Sequence, residues 1–338
     1  MHLVADYAPI QREHGDLVPI ASEPLSSGDI DAALYSICSE AQIEEFQRTR
    51  NLDLAFEIDR GSDAPAQRFR ANLFYSGENP GACLRIIPSR IPDLAWSNFP
   101  QDLAERIAAF RNGLVVFSGV TGSGKTTSMA MIIQLLSQRG GQRIVTIEDP
   151  IEYRFPRVES SVISQREVGR DVASFADGLK YAMRQDPDII LVGEIRDQEA
   201  AQMALSAAET GHLVLTTLHT RDAKGAVTRF IDLFPKQNHS ETCSMLAIGL
   251  RAVISQHLLP NLYPGEKREL ALEVMFNTNP VAAAIRLGRV DSLDNAILTG
   301  RKEGMIALDE SIKRLLRDGR ITDATAERFI SDKDLLRR

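Results

Sequence analysis

The stretch Gly119-Val120-Thr121-Gly122-Ser123-Gly124-Lys125-Thr126 has the form G-x-x-x-x-G-K-[ST]. The apolar run Leu114-Val115-Val116-Phe117 precedes it, and a segment that reads as a helix from Lys125 toward Ser137 follows. A strand, a glycine-rich turn and a helix in that order make a phosphate cradle. Gly119, Gly122 and Gly124 open backbone conformations closed to other residues, so successive N–H groups can turn around phosphate oxygens. The helix start adds unpaired N–H groups and a favourable dipole. Lys125 is then placed to reach terminal phosphates as a point charge, and the Thr126 hydroxyl to ligate a magnesium ion. Thr121, Ser123 and Thr127 complete the set expected to line the nucleotide.

Three further apolar runs end in polar residues, as expected for a parallel sheet with a ligand at its carboxyl edge. Arg143 to Ile147 runs into Glu148, Asp149 and Glu152; Ile189 to Val192 runs into Gly193 and Glu194, followed by Arg196 and Asp197; Leu213 to Leu218 runs into His219. A buried strand ending in an acid is the pattern of a magnesium-binding strand, with Glu194 where Asp is more usual. Taken singly, acids after a strand are often turn formers, and His212 or His219 alone is more often a hydrogen-bonded structural histidine.

The order GVTGSGKTT, TIEDPIEY, SQREVGRD, DPDIILVGEIRD, AAETGHLVLTTLHT and DLFP resembles the secretion ATPase superfamily, and within it the type IV pilus retraction ATPases, over almost the whole chain. The resemblance implies an α/β fold: a RecA-like P-loop ATPase domain with a smaller N-terminal PAS-like α+β domain. It implies ATP and Mg2+ as substrate and cofactor, with Thr126 and Glu194 at the metal. Glu152 is implied as the base that orients or deprotonates the attacking water, Glu148 and Asp149 as its acidic neighbours, and His212 and His219 as the histidine box, with His219 rather than His212 sensing the γ-phosphate. Arg70 and Arg85 are implied to act on the nucleotide of a neighbouring subunit. The assembly implied is a homo-hexamer at the cytoplasmic face of an inner-membrane machine, working on its platform protein and touching the membrane only through partners. Pilus extension, type II or type IV secretion, and a nucleotide-dependent regulatory module with little turnover are the alternatives.

Composition agrees with a large soluble enzyme. At 338 residues the chain can bury a sizeable core. A formal net charge of -7 gives no broad electrostatic reason to bind nucleic acid. No apolar run approaches the roughly 20 residues that cross a bilayer. Cys38, Cys83 and Cys243 are scattered, so neither a disulfide framework nor the tetracysteine zinc site of extension and type II members is expected.

The expected organisation is an N-terminal domain over 1–90, a proline-bearing linker over 91–100, and a motor with C-terminal helices over 101–338. In the first domain one helix is expected from Ile30 to about Gln47, with Leu34, Ile37, Ala41 and Phe46 on one face. Later stripes are Phe175, Leu179 and Met183 behind a Ser174 cap, and Leu308, Ile312, Leu315 and Leu316 before Gly319. The chain departs from the retraction members in three places. Pro280 to Arg286 reads PVAAAIR where they carry A-I-R-N-L-I-R; Pro80 stands where an arginine is expected; and the chain begins inside what reads as a first strand, so the start is either truncated or the ring edge is built differently.

Overall fold

The computed structural model describes residues 1–13, 16–59, 66–88 and 90–333. They fall into two compact units, Met1–Arg90 and Ile91–Arg338.

In the smaller unit six strands, β1 (His2–Val4), β2 (Ile10–Glu13), β3 (Asp16–Pro19), β4 (Asn51–Ile58), β5 (Gln67–Ser76) and β6 (Asn79–Ile87), form an antiparallel sheet in the order β3-β2-β1-β6-β5-β4. Gly77 and Glu78, both at positive φ, close the two-residue hairpin between β5 and β6, matching the right-handed twist of the strands. Alternation along the strands sends Leu52, Leu54, Ala71, Leu73, Ala82 and Leu84 to one face, where Ile30, Leu34 and Phe46 cover them.

The single helix expected over Ile30–Gln47 is two helices, Ser27–Ile37 and Glu40–Thr49. Ser39 breaks the run. Its hydroxyl accepts from Gln42 N–H while the Gln42 side chain accepts from Ser39 N–H, a capping box that starts a new helix. The break also turns Ala41 out to solvent, leaving Phe46 as the fully buried anchor of the second helix.

In the larger unit β7 (Gly113–Ser118), β8 (Arg143–Glu148), β9 (Val162–Glu167), β10 (Ile189–Val192), β11 (Leu213–Leu218), β12 (Leu250–Leu259) and β13 (Glu269–Phe276) make one sheet in the order β13-β12-β7-β11-β10-β8-β9. All neighbours are parallel except β13, which returns antiparallel beside β12. The carboxyl ends of β7, β8, β10 and β11 therefore share an edge. Every residue of β7, β10 and β11 is buried, as expected of parallel strands covered on both faces. The helix Phe175–Ala182 lies so close on β8 that a Cβ at Gly178 would sit 2.7 Å from Ile147. Met183 falls one residue past its end.

The proline-bearing stretch 91–100, read as a linker, carries the helix Leu94–Ser97 capped by Asp93, and Phe99 is buried in the core of the larger unit. The stripe Leu308, Ile312, Leu315 and Leu316 on the helix Leu308–Arg317 is satisfied within the chain: it packs with Leu259, Ala271, Ile321 and Ile330. Among the described residues no helix is long and apolar enough to cross a membrane.

Removing the cap at the unexpected helix break has a defined cost. Ser39→Ala should lower the unfolding free energy of the smaller unit by about 1 kcal/mol, read as a shift in its urea midpoint at unchanged slope.

Candidate active site

The loop Gly119 to Gly124 leaves β7 and enters the helix Lys125–Arg139. Gly119 has φ 145°, Gly122 79° and Gly124 91°, all in the region that side chains avoid. At Gly119 a Cβ would strike the Ser123 hydroxyl and lie 2.6 Å from the Gln256 carbonyl, whereas at Gly122 nothing lies within 4 Å. The first position is thus filled from the side of β12 and the second is open. The Ser123 hydroxyl is buried without a hydrogen-bond partner. Lys125 folds back over the loop, its Nζ donating to the carbonyls of Gly119 (2.8 Å) and Val120 (3.2 Å). Burial holds its ammonium below the usual lysine range, and the charges of Glu194 and Glu152 oppose that effect. Thr126 is half-buried in the first turn of the helix. The Thr127 hydroxyl meets the buried Tyr153 hydroxyl at 2.9 Å, which ties the phosphate-loop helix to the acidic turn.

That turn follows β8. Glu148 is buried: its carboxylate accepts from the Thr146 hydroxyl (2.7 Å) and the Gln165 amide (3.0 Å). Burial pushes its carboxyl above the ordinary glutamate range, and these two hydrogen bonds pull the other way. Gln165 also donates to the Tyr153 carbonyl and accepts from Phe155 N–H, and Glu167 accepts from Ile151 N–H. The turn is thereby braced from β9. Within the chain Glu148 acts as the root of this turn rather than as an open ligand, while Glu152 is half-buried beyond it.

Glu194 follows β10 and its two oxygens have different partners. One pairs with Arg196; the other lies 3.1 Å from His219 Nε2 at the end of β11. Arg196 reaches on to Asp149 at 3.4 Å, so a single guanidinium joins the acids that follow β8 and β10. Its hydrogen bond to Glu194, together with the nearby carboxylate charges, raises its pKa further above the solvent range. Glu194 is shielded, its side chain 18% exposed, whereas His219 is half exposed.

Lys125, Asp149, Glu194 and His219 are thus brought to one edge. His212 is not: it precedes β11, where its backbone carbonyl accepts from Gly113 N–H at the start of β7 and its ring Nδ1 lies 2.9 Å from the Ala207 carbonyl. The six residues of β11 separate it from His219 by about 20 Å along the strand. Within one chain the two histidines of the motif therefore do not meet, because the two ends of a strand lie on opposite edges of the sheet. Arg70 and Arg85 belong to the smaller unit, directly opposite each other on β5 and β6 and both exposed; neither has an ion-pair partner among the described residues. Like charges so placed repel unless an anion lies between them.

Four residues of this site were not singled out from sequence. Arg196 stood in the GEIRD stretch without a role; Tyr153 and Gln165 make their contacts only once β8 and β9 pair; and Arg268, ahead of β13, donates to the Gly122 carbonyl at 3.2 Å. PVAAAIR lies in the helix Asn279–Arg286, with Val281, Ala284 and Ile285 buried, Ala282 against the core, and Ala283 and Arg286 exposed.

A profile described as type II/IV secretion system protein matches residues 82–332. The chain belongs to that family. The type IV pilus retraction ATPase PilT of Pseudomonas aeruginosa is 37% identical over 326 residues, covering 96% of this chain and 92% of that protein. A twitching motility protein of Neisseria gonorrhoeae is 37% identical over 325 residues, covering 96% and 85%. The crystal structure of the pilus retraction motor PilT with bound ADP superposes with a TM-score of 0.86 at 35% identity, covering 100% of this chain and 94% of that one. The fold is accordingly that of this secretion family: a RecA-like ATPase domain preceded by a smaller N-terminal domain.

Filling the cradle from within should abolish it. Gly119→Ala is expected to destabilise the larger unit by about 1–3 kcal/mol through backbone strain and the clash with Gln256, and to remove nucleotide binding in a fluorescent-ADP titration.

Proposed function

We propose that this chain is an ATP-hydrolysing motor that drives pilus retraction, assembled as a homo-hexamer. The observation that carries the reading is the placement of Lys125, Glu194 and His219 at one sheet edge around a loop shaped for phosphates, in a chain alike over its whole length to a retraction ATPase. In this reading residues 1–90 supply arginines, 101–338 are the motor, and 91–100 join them.

The phosphates of ATP rest on the N–H groups of Gly122 to Thr126, with Lys125 exchanging the loop carbonyls for β- and γ-phosphate oxygens. Magnesium favours hard oxygen donors, and the half-buried Thr126 hydroxyl and the shielded Glu194 carboxylate fit it. Bound there, the ion supplies charge neutralisation. Glu152 orients or deprotonates the attacking water. His219, hydrogen-bonded to Glu194, reports the γ-phosphate to β11. Arg70 and Arg85, two exposed guanidinium groups on one face without ion-pair partners among the described residues, offset the developing charge on the nucleotide of the adjoining subunit. Differential affinity for ATP and ADP between arrangements of the two units is the source of work. The ring would act at the cytoplasmic side of the inner membrane on a platform protein.

One feature favours a second reading, extension or secretion. The retraction members' first arginine is here Ala282, set against the core, and their asparagine is the exposed Ala283. Loss of these groups removes polar recognition from that helix while leaving hydrolysis intact.

Glu152→Gln and Glu194→Gln should each lower kcat by roughly 10²-fold or more with ATP binding retained; unchanged rates would instead indicate a regulatory module. Mixing an Arg70→Ala/Arg85→Ala double variant with Lys125→Ala should restore part of the ATPase activity, because each lacks a different half of a shared site. No recovery would sink the trans-acting assignment. In the host, deletion should leave hyperpiliated, non-motile cells rescued by wild type and not by Glu194→Ala, whereas bald cells would establish extension.

A further inference from the structure

The turn that carries His219 is held by more than Glu194. Behind it, the first residue of the helix Ala223–Asp232 donates its backbone N–H to Glu273 of β13 at 2.7 Å, and His257 of β12 donates to the Arg221 carbonyl at 2.8 Å. Asp222 caps the same helix through Gly225 N–H. Glu273 lies across from Ser255, whose hydroxyl meets that of Ser118 at 2.6 Å, one residue before the phosphate loop. A row of polar groups on one face of the sheet thus runs from the base of the cradle to the back of the histidine turn.

We propose that Glu273 is a positioning residue for His219, fixing the turn 219–222 by gripping the first N–H of the helix behind it. The proposal rests on the nucleotide-sensing role given to His219 above. A sensor works only if its backbone is fixed, since a side chain on a loose turn can follow the phosphate without moving a strand. Glu273 and His257 supply that fixity from β13 and from β12, the strand between β13 and β7.

The grip is tunable near neutrality. Burial pushes the Glu273 carboxyl up to about 7, and the charges of Asp222, Asp294 and Asp309 push the same way. The other titratable groups around it are His257 on β12 and Lys224, which is paired with Asp294 (2.9 Å) and Asp291 (3.9 Å). Ionised, Glu273 accepts from Ala223 through a charge-assisted bond at a helix start; protonated, it accepts through a neutral oxygen and holds less firmly. Turnover should therefore rise as pH passes upward through about 7. Stability should move oppositely. The folded value lies above the ordinary 4.5, so Glu273 contributes stability that is full below that value and is lost as pH rises through about 7.

The test is kcat and KM for ATP from pH 6 to 8.5 for the full chain, Glu273→Gln and Ala223→Pro. Proline is tolerated at the first position of a helix after an extended residue, and it deletes the N–H that Glu273 accepts while adding two ring carbons at a buried position. The ratio of wild-type to Glu273→Gln kcat should grow from near one at pH 6 to about fivefold at pH 8, with KM little changed. Ala223→Pro should show the same growth and supplies the answer if Glu273→Gln does not fold. A ratio constant across pH, or equal rates throughout, would overturn the positioning role even in an active ATPase. A wild type without turnover would instead overturn the motor reading, and the role of Glu273 with it.

Discussion

Parallel hydrogen bonding between β7, β11, β10 and β8 forces their carboxyl ends onto one edge, and the chemistry of the larger unit hangs from those ends. Since each of these strands is buried on both faces, none can slip in register without exposing apolar residues, so Gly119, Asp149, Glu194 and His219 keep fixed mutual positions. The cost is a crowd of carboxylates at a single edge. Arg196 and Lys125 offset it, one bridging Asp149 to Glu194 and the other bonded to the loop carbonyls.

Such an arrangement couples the nucleotide to shape. Lys125 is bonded to loop carbonyls and Glu194 to Arg196 and His219, so each group that would meet a polyphosphate has a protein partner to exchange for it. Exchange of partners at the ends of stiff strands moves turns rather than side chains alone, and the turn bearing His219 is gripped from β12 and β13. Switching of this kind needs two discrete sets of contacts, and the strand ends provide the groups for both.

The smaller unit shows a different economy. Its sheet buries one face under two helices, and on the other Arg70 and Arg85 lie exposed and repel across β5 and β6. Such a pair is tolerated on an exposed face and becomes favourable only against an anion.

Much of this was written in the chain itself. The phosphate loop is a local object: glycine conformations, a helix start and a lysine at fixed spacing need no distant partner, and the four apolar runs that end in polar residues are local as well. The capping box at Ser39 was equally local, yet helical periodicity across it masked the break, since Leu34 and Phe46 stay buried on both sides of the interruption. Only the tertiary structure decided which polar groups meet. His212 and His219 stand in one motif, but the parallel strand between them carries them to opposite edges, whereas Arg196 and Asp149, 47 residues apart, come together because β8 and β10 are neighbours in the sheet. Strand order is set by the burial of whole faces, a property no local stretch contains, and so the loop could be read from residues alone while the arginine bridge and the Glu273 grip could not.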